Sequence, residues 1–238
     1  MSGTLYGVGV GPGDPKLLTL LAAETICKCP VIAVPAKGKE HAVSYKIARG
    51  AIEDIEKKEC LNLSTPMTKD RNVLSESYRR AAERIMEKLK EGKDVAYLTL
   101  GDPTIYSTYI YIHRIVEESG HKAEIINGIP SFCAVAASLG VSLADRSEQM
   151  HVIPSNYDIE GALELKGSKV LMKAASKMAE VKQLLLENGI EATMVENCGM
   201  QDEKVHRHVE DMPEEASYYS IVLVREKETE KGLPWTSI

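Results

Sequence analysis

Apolar runs alternate with amphipathic segments along this chain of 238 residues. Short runs rich in valine, isoleucine and leucine predict buried strands, whereas apolar residues that recur every three or four positions predict helices. The predicted strands cover residues 4–10, 31–35, 60–64, 94–100, 122–127, 149–154, 168–173, 192–197 and 218–225. The predicted helices cover residues 16–27, 43–57, 71–91, 131–139 and 176–188, and one more that carries Tyr106, Tyr109 and Ile112. This alternation is typical of an α/β protein.

The two halves of the chain differ in how regularly strands and helices alternate. From about residue 121 onward the strands are less regularly interleaved with helices, which favours a mixed sheet. We therefore expect two α/β domains, residues 1–116 and residues 121–238, joined by a short connection.

Glycines at positions 7, 9, 11 and 13 precede the first predicted helix. A Walker-type phosphate loop would end in Gly-Lys-Ser/Thr, but Asp14 and Pro15 stand in that place. A dinucleotide-binding fingerprint needs a different glycine spacing and an acidic residue after the second strand, where Val34 and Pro35 stand instead. Alternating glycines leave one strand face bare, so another backbone or a flat ligand can approach closely. A tight strand-to-helix turn without a ligand explains the same residues equally well.

A second glycine turn, TLGDPTIYST at residues 99–108, follows another predicted strand. The carboxyl ends of parallel strands gather at one edge of a sheet, so the turns near residues 11 and 101 are expected to flank one ligand. Asp102 either accepts hydrogen bonds from that ligand or caps the helix that follows. Both interpretations stay open at this point.

Four segments occur together in one order and spacing: GVGPGD (9–14), GDPTIYST (101–108), NGIPSF (127–132) and ENCGM (196–200). In this combination the chain resembles the tetrapyrrole methylase family over about residues 4–225. The pairing of LSTPMTKD (63–70) with LTLGDPTIYST and VLMKAAS (170–176) resembles the members that methylate C20 of precorrin-2 or cobalt-precorrin-2. The resemblance therefore implies a C-methyltransferase that acts in cobalamin biosynthesis.

The resemblance also implies the class III methyltransferase fold, in which S-adenosylmethionine lies in a cleft between two α/β domains, and a homodimer. By position, it implies cofactor contacts for Pro12, Leu100, Gly101, Asp102, Ile105, Ser131, Phe132, Met172 and Gly199. Some relatives have PGxTS where this chain has NGIPS. This departure leaves open whether Pro130 or Ser131 makes the polar contact.

The formal net charge of −6 argues against non-specific binding of nucleic acid, which needs a broad positive surface. A polycarboxylate such as a precorrin would then need cations held locally. Lys37, Arg71, Arg79 and Lys173 are the predicted substrate contacts because they lie near loops. No paired carboxylate or histidine–acid pair stands out, so no catalytic base is assigned. The tyrosines that follow the second glycine turn either orient the macrocycle or pack.

Neither a membrane segment nor a metal site is expected. No apolar run reaches the roughly 18 residues of a membrane helix, and the first residues lack the pattern of a secretory signal. The five cysteines include no CxxC pair, which argues against a disulfide framework and a zinc ribbon. We expect a cytoplasmic protein without a bound metal.

Other functions fit parts of this pattern. The nearest are other members of the family: uroporphyrinogen III methyltransferase, a different corrin-ring methylase, or diphthine synthase, whose acceptor is a protein. A non-catalytic module that binds S-adenosylmethionine is a second class. The sequence favours the C20 enzyme and leaves open whether the substrate carries cobalt.

Overall fold

The computed structural model describes residues 2–66, 68, 70–154 and 158–225, except for the side chain of Ser176. The chain divides into two compact units, Met1–Ser131 and Phe132–Ile238. Each unit contains one five-stranded sheet among these described residues. The fold is therefore α/β in both units, as predicted.

The first unit is built on a parallel sheet with the strand order β3-β2-β4-β1-β5. Its strands are β1 (Thr4–Gly9), β2 (Val31–Val34), β3 (Glu59–Asn62), β4 (Val95–Thr99) and β5 (Lys122–Ile126). Its helices are α1 (Leu20–Lys28), α2 (Val43–Ala51), α3 (Arg71–Lys90) and α4 (Tyr109–Glu118). A further helix, α5 (Ser131–Leu139), begins at the last residue of this unit.

The side chains of β4 alternate between two apolar clusters, one on each face of the sheet. Ala96 and Leu98 belong to the cluster that includes buried residues of α1 and α2. Val95 and Tyr97 belong to the cluster that includes buried residues of α3 and α4. Because helices cover both faces, this central strand is buried at every position.

The boundary between the units lies later along the chain than the boundary expected at residues 116–121. The strand β5 pairs in parallel with β1, with Thr4 opposite Lys122 and Val8 opposite Ile126. Residues 117–131 therefore belong to the first unit. The connection expected between residues 116 and 121 instead contains the end of α4 and the turn into β5.

The second unit contains a mixed sheet with the strand order β6-β7-β10-β8-β9. Its strands are β6 (Met150–Pro154), β7 (Ser168–Met172), β8 (Ala192–Glu196), β9 (Lys204–His206) and β10 (Ser220–Val224). Its other helices are α6 (Ile159–Leu163) and α7 (Met178–Glu187). The β6–β7 pair is parallel, whereas β10 runs antiparallel to both β7 and β8, which confirms the mixed character.

Three details of the first unit differ from the sequence prediction. A 3-10 turn, Pro15–Leu17, precedes α1, which begins only after Thr19 caps it by accepting a hydrogen bond from the Ala22 amide. The predicted helix at 43–57 ends as an α-helix at Ala51. Tyr106 lies outside α4, with a left-handed φ of 48°.

Candidate functional site

The two glycine turns of the first unit meet at the carboxyl edge of its sheet. Gly101 donates its N–H to the Gly11 carbonyl at 2.8 Å, and Gly11 donates to the Gly101 carbonyl at 3.3 Å. A Cβ on Gly9 would lie 2.6 Å from both the Gly101 oxygen and the Gly128 nitrogen. Three strand-end backbones therefore approach so closely at Gly9, Gly101 and Gly128 that no side chain fits between them. We call these three residues the glycine junction.

The bare face of β1 is covered by the protein itself. A Cβ on Gly7 would lie 2.0 Å from Cε1 of Tyr109, so the aromatic ring of α4 occupies that space. The Tyr109 hydroxyl lies 2.9 Å from the Glu124 carbonyl and 2.9 Å from Nδ1 of His113. Close approach is thus the reason for Gly7 and Gly9, and the approaching groups are a tyrosine ring and neighbouring backbone.

Asp102 links the second glycine turn to the loop after β5. One carboxylate oxygen accepts a hydrogen bond from the Thr104 amide at 2.8 Å, and the other accepts from Asn127 Nδ2 at 3.1 Å and the Gly128 amide at 3.0 Å. Burial opposes ionisation, but these hydrogen bonds and that of the Thr104 hydroxyl outweigh it and lower the pKa of Asp102. Asp102 therefore holds two loops in place and does not cap a helix: α4 begins only at Tyr109.

Space remains beside Gly101 on the side that faces the loop leading into α5. A Cβ there would lie 3.8 Å from the Ser131 nitrogen and 3.9 Å from the Ile129 oxygen, with nothing nearer. The φ of Gly101 is +70°, which favours glycine. The gap lies between two predicted cofactor contacts, Gly101 and Ser131, and peptide groups line it. The gap is therefore wide enough for one methyl group in ordinary van der Waals contact with the backbone of Ile129 and Ser131.

The other predicted cofactor contacts of the first unit lie along the same two turns. Pro12 is buried directly after the Gly11–Gly101 bridge. Leu100 is half-buried and packs against the apolar cluster of α1 and α2. Ile105 donates its amide to the Asp102 carbonyl at 3.2 Å. The structure therefore brings Pro12, Leu100, Gly101, Asp102 and Ile105 together at one edge of the sheet.

The predicted contacts of the second unit lie at or near the ends of β7 and β8, except for Phe132, which is buried in α5. Because β7 and β8 both pair antiparallel to β10, their carboxyl ends share an edge, where Met172 is opposite Ile221 and Glu196 is opposite Ser220. Met172 is the last residue of β7, and Gly199 follows β8.

Two residues at this edge of the second sheet have backbone conformations that are unusual for residues other than glycine. Lys173 has φ 59° and Asn197 has φ 53°. Left-handed backbone at such residues costs energy and is often found at functional sites. Burial lowers the pKa of Lys173, so this predicted substrate contact carries its charge in a partly desolvated place.

A polar network joins the end of β8 to β9 and to Ser217. Buried Glu196 accepts hydrogen bonds from the Ser217 amide at 2.7 Å and lies 3.0 Å from Nε2 of His206. Burial again opposes ionisation, but these two partners lower the pKa of Glu196. Nδ1 of His206 faces the Asp211 carbonyl at 2.9 Å. The His206 ring therefore links Glu196 to the Asp211 carbonyl.

The three predicted substrate cations of the first unit are exposed. Lys37 follows β2, and Arg71 is the first residue of α3, next to its cap Asp70. Arg79 donates two hydrogen bonds to Glu76, at 2.8 and 3.0 Å, and also contacts Glu83. The donors of Arg79 are thus already engaged by carboxylates of its own helix.

The tyrosines after the second turn have different environments. Tyr109 is fully buried, as the packing interpretation expects. Tyr111 is half exposed and stacks on Tyr78 of α3, with ring centroids 5.0 Å apart. Tyr106 is also about half exposed.

Sequence reasoning missed Asn127 and Gly128 as partners of Asp102. The signal was present, because the Asn-Gly pair follows β5 as Gly-Asp follows β4. The pairing of Glu196 with His206 was also missed, since the two residues lie on different strands and only the β8–β9 register brings them together.

Within the described ranges, no helix is long and apolar enough to cross a bilayer. In the same part of the chain, no group of three histidine, cysteine or acidic side chains is arranged to hold a metal ion.

The sequence model of the tetrapyrrole (corrin/porphyrin) methylases matches residues 4–212. The chain belongs to the tetrapyrrole methylase family. Among similar members, the probable cobalt-precorrin-2 C(20)-methyltransferase of Methanocaldococcus jannaschii is 35% identical, and the match covers 84% of this chain and 85% of that protein. The cobalt-precorrin-2 C(20)-methyltransferase of Salmonella typhimurium is 28% identical over 95% of this chain and 98% of that protein.

Solved structures of tetrapyrrole methylases share the fold at low sequence identity. A cobalt precorrin-4 methyltransferase superposes with a TM-score of 0.71 at 18% identity, covering 93% of this chain and 94% of that one. The uroporphyrin-III C-methyltransferase of Thermus thermophilus, in complex with S-adenyl homocysteine, gives 0.67 at 19% identity, covering 94% and 92%. These likenesses confirm the class III methyltransferase fold.

Proposed function

We propose that this protein transfers a methyl group from S-adenosylmethionine to C20 of precorrin-2 or cobalt-precorrin-2 in cobalamin biosynthesis. The observation that carries the proposal is the match, over most of both chains, to two relatives named for that reaction. The motifs at residues 63–70 and 170–176 favour the same acceptor.

The methyl donor we propose is S-adenosylmethionine, because the chain belongs to the tetrapyrrole methylase family and a structural neighbour is in complex with S-adenyl homocysteine. Backbone groups of Pro12, Gly101 and Ser131 would hold the donor, and the Asp102 hydrogen bonds would keep their loops in register. When bound, S-adenosylmethionine supplies a methyl group that its positively charged sulfur already activates. The contacts expected of Phe132, Met172 and Gly199 remain predictions of the family resemblance.

The contribution of the protein to the reaction is chiefly positioning. Holding an acceptor carbon in line with an activated group can contribute on the order of 7–11 kcal/mol in favourable cases. Cationic side chains would orient the acceptor through its carboxylates, and Lys173 is one candidate because its charge is partly desolvated. No residue is assigned as the base that removes the C20 proton.

The proposed setting is the cytoplasm, and the proposed assembly is a homodimer. All five cysteines are free thiols, which suits a reducing compartment. The homodimer rests on the family resemblance.

A methyl-transfer assay tests the proposal directly. Purified protein and S-adenosylmethionine would be incubated under nitrogen with precorrin-2 or with cobalt-precorrin-2, and the products analysed by mass spectrometry. We expect one added methyl group, and the preferred substrate form identifies whether cobalt is already present. A uroporphyrinogen III reaction and a protein extract serve as alternative acceptors. Transfer only to one of these would refute the C20 assignment.

A further inference from the structure

An open groove lies between α3 and the segment that follows β3. Its volume is about 650 Å³, and its apolar wall includes Leu63, Pro66, Val73 and Ala81. The polar lining comes from the side chains of Ser64, Asn72, Glu76, Ser77, Arg80 and Arg84. We call this cavity the α3 groove. It combines an apolar wall with a row of hydrogen-bonding and charged groups.

The α3 side of the groove is one continuous stripe of the helix. Residues three and four positions apart share a helix face, so Val73, Ser77, Arg80 and Arg84 follow one another along the wall. Arg80 and Arg84 are one helical turn apart, and like charges at that spacing slightly destabilise a helix. Glu76 is the only acidic side chain among the described residues that line the groove. The lining therefore carries a net positive charge in a chain whose net charge is −6.

Counting only partners in the described part of the chain, both arginines retain unused donors. Arg80 donates through Nε to Glu76 at 2.8 Å, and its terminal nitrogens have no hydrogen-bond partner among the described residues. Arg84 donates through Nη1 to the Asn62 carbonyl at 2.6 Å, and its other nitrogens are similarly open within the described ranges. These two contacts hold both guanidinium groups at the groove, and as far as the described residues show, N–H groups remain available for a carboxylate.

The position of the groove suits a substrate that extends away from the glycine junction. Asn62 ends β3 at the carboxyl edge of the sheet, the same edge that carries Gly101. Strand β3 lies two strands from β4. At the usual strand spacing, the groove begins roughly 10 Å from the end of β4. A macrocycle that reacts near Gly101 can reach the groove with its periphery.

We infer that the α3 groove binds carboxylate side chains of the tetrapyrrole substrate, with Arg80 and Arg84 as the carboxylate-binding residues. The inference rests on the proposed function for the identity of the acceptor. An apolar wall for the ring periphery and two arginines for its carboxylates match an amphipathic polycarboxylate. This assignment replaces Arg79, whose donors are engaged by Glu76 and Glu83. Arginine suits the role because its planar fork binds a carboxylate through two parallel hydrogen bonds.

The test compares a double variant, Arg80→Gln with Arg84→Gln, with the wild-type protein. In the methyl-transfer assay, we expect the KM for the tetrapyrrole to rise about tenfold or more, since charge-assisted hydrogen bonds are lost. The KM for S-adenosylmethionine should stay unchanged. The increase should shrink at high salt, because salt screens the charges. A control double variant, Arg49→Gln with Arg114→Gln, removes two exposed helical arginines outside the groove and should behave like wild type.

A binding measurement separates the failure of the groove from the failure of the proposed reaction. Uroporphyrin, a fluorescent porphyrin with a carboxylate on every peripheral substituent, is titrated with each protein and followed by anisotropy. Coproporphyrin, which has half as many carboxylates, is the comparison ligand. We expect the wild-type protein to bind uroporphyrin more tightly than coproporphyrin. This preference should disappear in the Arg80/Arg84 double variant. If the wild-type protein shows this preference and the double variant loses it, but no methyl group is transferred, carboxylate binding by the α3 groove is supported and the proposed methyl transfer is refuted. Methyl transfer with an unchanged tetrapyrrole KM in the double variant refutes the groove.

Discussion

Gly101 and Gly120 share a left-handed backbone but have different surroundings. Their φ angles are +70° and +81°, and a Cβ would meet backbone of residues 129–131 at Gly101 but nothing within 4 Å at Gly120. A comparison of alanine substitutions at the two positions therefore separates the effect of backbone strain from the effect of filling the gap beside Gly101.

Gly101→Ala should weaken S-adenosylmethionine binding, whereas Gly120→Ala should not. Both variants should lose about 1–2 kcal/mol of unfolding free energy, because alanine disfavours left-handed backbone. Only Gly101→Ala places a methyl group in the gap. Isothermal titration with the cofactor and urea unfolding of both variants check this. Equal cofactor affinity in the two variants would exclude the gap from the cofactor site.

Asp102→Asn should destabilise the protein by about 1–3 kcal/mol at neutral pH, since the new amide faces donors that the carboxylate accepted. The folded-state pKa of Asp102 lies below its ordinary value. Its stabilisation is therefore complete above the unfolded carboxyl pKa of about 3.9 and is lost as the pH falls through the lower folded value.

Urea unfolding at neutral pH and near pH 3 would measure this dependence. The difference in unfolding free energy between Asp102→Asn and the wild type should be smaller at the acid pH. Asp158→Asn is the matched control, because Asp158 caps α6 and asparagine caps helices nearly as well. If the difference in unfolding free energy between Asp102→Asn and the wild type did not change with pH, the assigned role of the Asp102 carboxylate would be contradicted.

Strand β1 and helix α4 meet without a gap at Gly7 and Tyr109. We expect Gly7→Ala to cost about 1–3 kcal/mol, as overpacking of a core usually does. In a Tyr109→Leu background the same change should cost less, because the ring that the methyl group meets is gone. A double-mutant cycle from chemical unfolding gives the coupling. Strictly additive effects would show that the ring does not limit this position.

Periodicity predicted most strands and helices because their burial follows from local patterns. The alternation of β4 and the apolar stripe of α3 are examples. It could not predict that Tyr109 fills the bare face at Gly7, or that Asp102 reaches Asn127. Those contacts join residues on different elements. No short stretch of sequence specifies the strand order that brings them together.

The two units each contain their own apolar clusters. Both clusters of the first unit lie within Met1–Ser131, and a third lies wholly within Phe132–Ile238. The alternation of predicted strands and helices predicted two α/β parts, but not the place of division. The pairing of β5 with β1 depends on a crossover that the pattern near residue 116 does not reveal.

A fragment of residues 1–131 should fold alone, whereas a fragment of residues 1–116 should not. The shorter piece lacks β5. The backbone groups of β1 that pair with β5 are then left without partners, and Ile126 is missing from the core. Circular dichroism during thermal unfolding should show a cooperative transition only for the longer fragment. Equally cooperative unfolding of both would contradict the boundary at Ser131.

The glycine junction has a consequence for how this protein can be altered. Peptide groups form it, and every side chain larger than hydrogen at Gly9 or Gly128 collides with a neighbouring backbone. A substitution at Gly9 or Gly128 therefore disrupts the close backbone packing of the junction and cannot alter it gradually. The groove-facing side of α3 is the reverse case, since Val73, Arg80 and Arg84 are exposed side chains and not part of the apolar cluster on the sheet. A search for altered acceptor preference should leave the junction intact and randomise the groove-facing positions Val73, Ser77, Arg80 and Arg84.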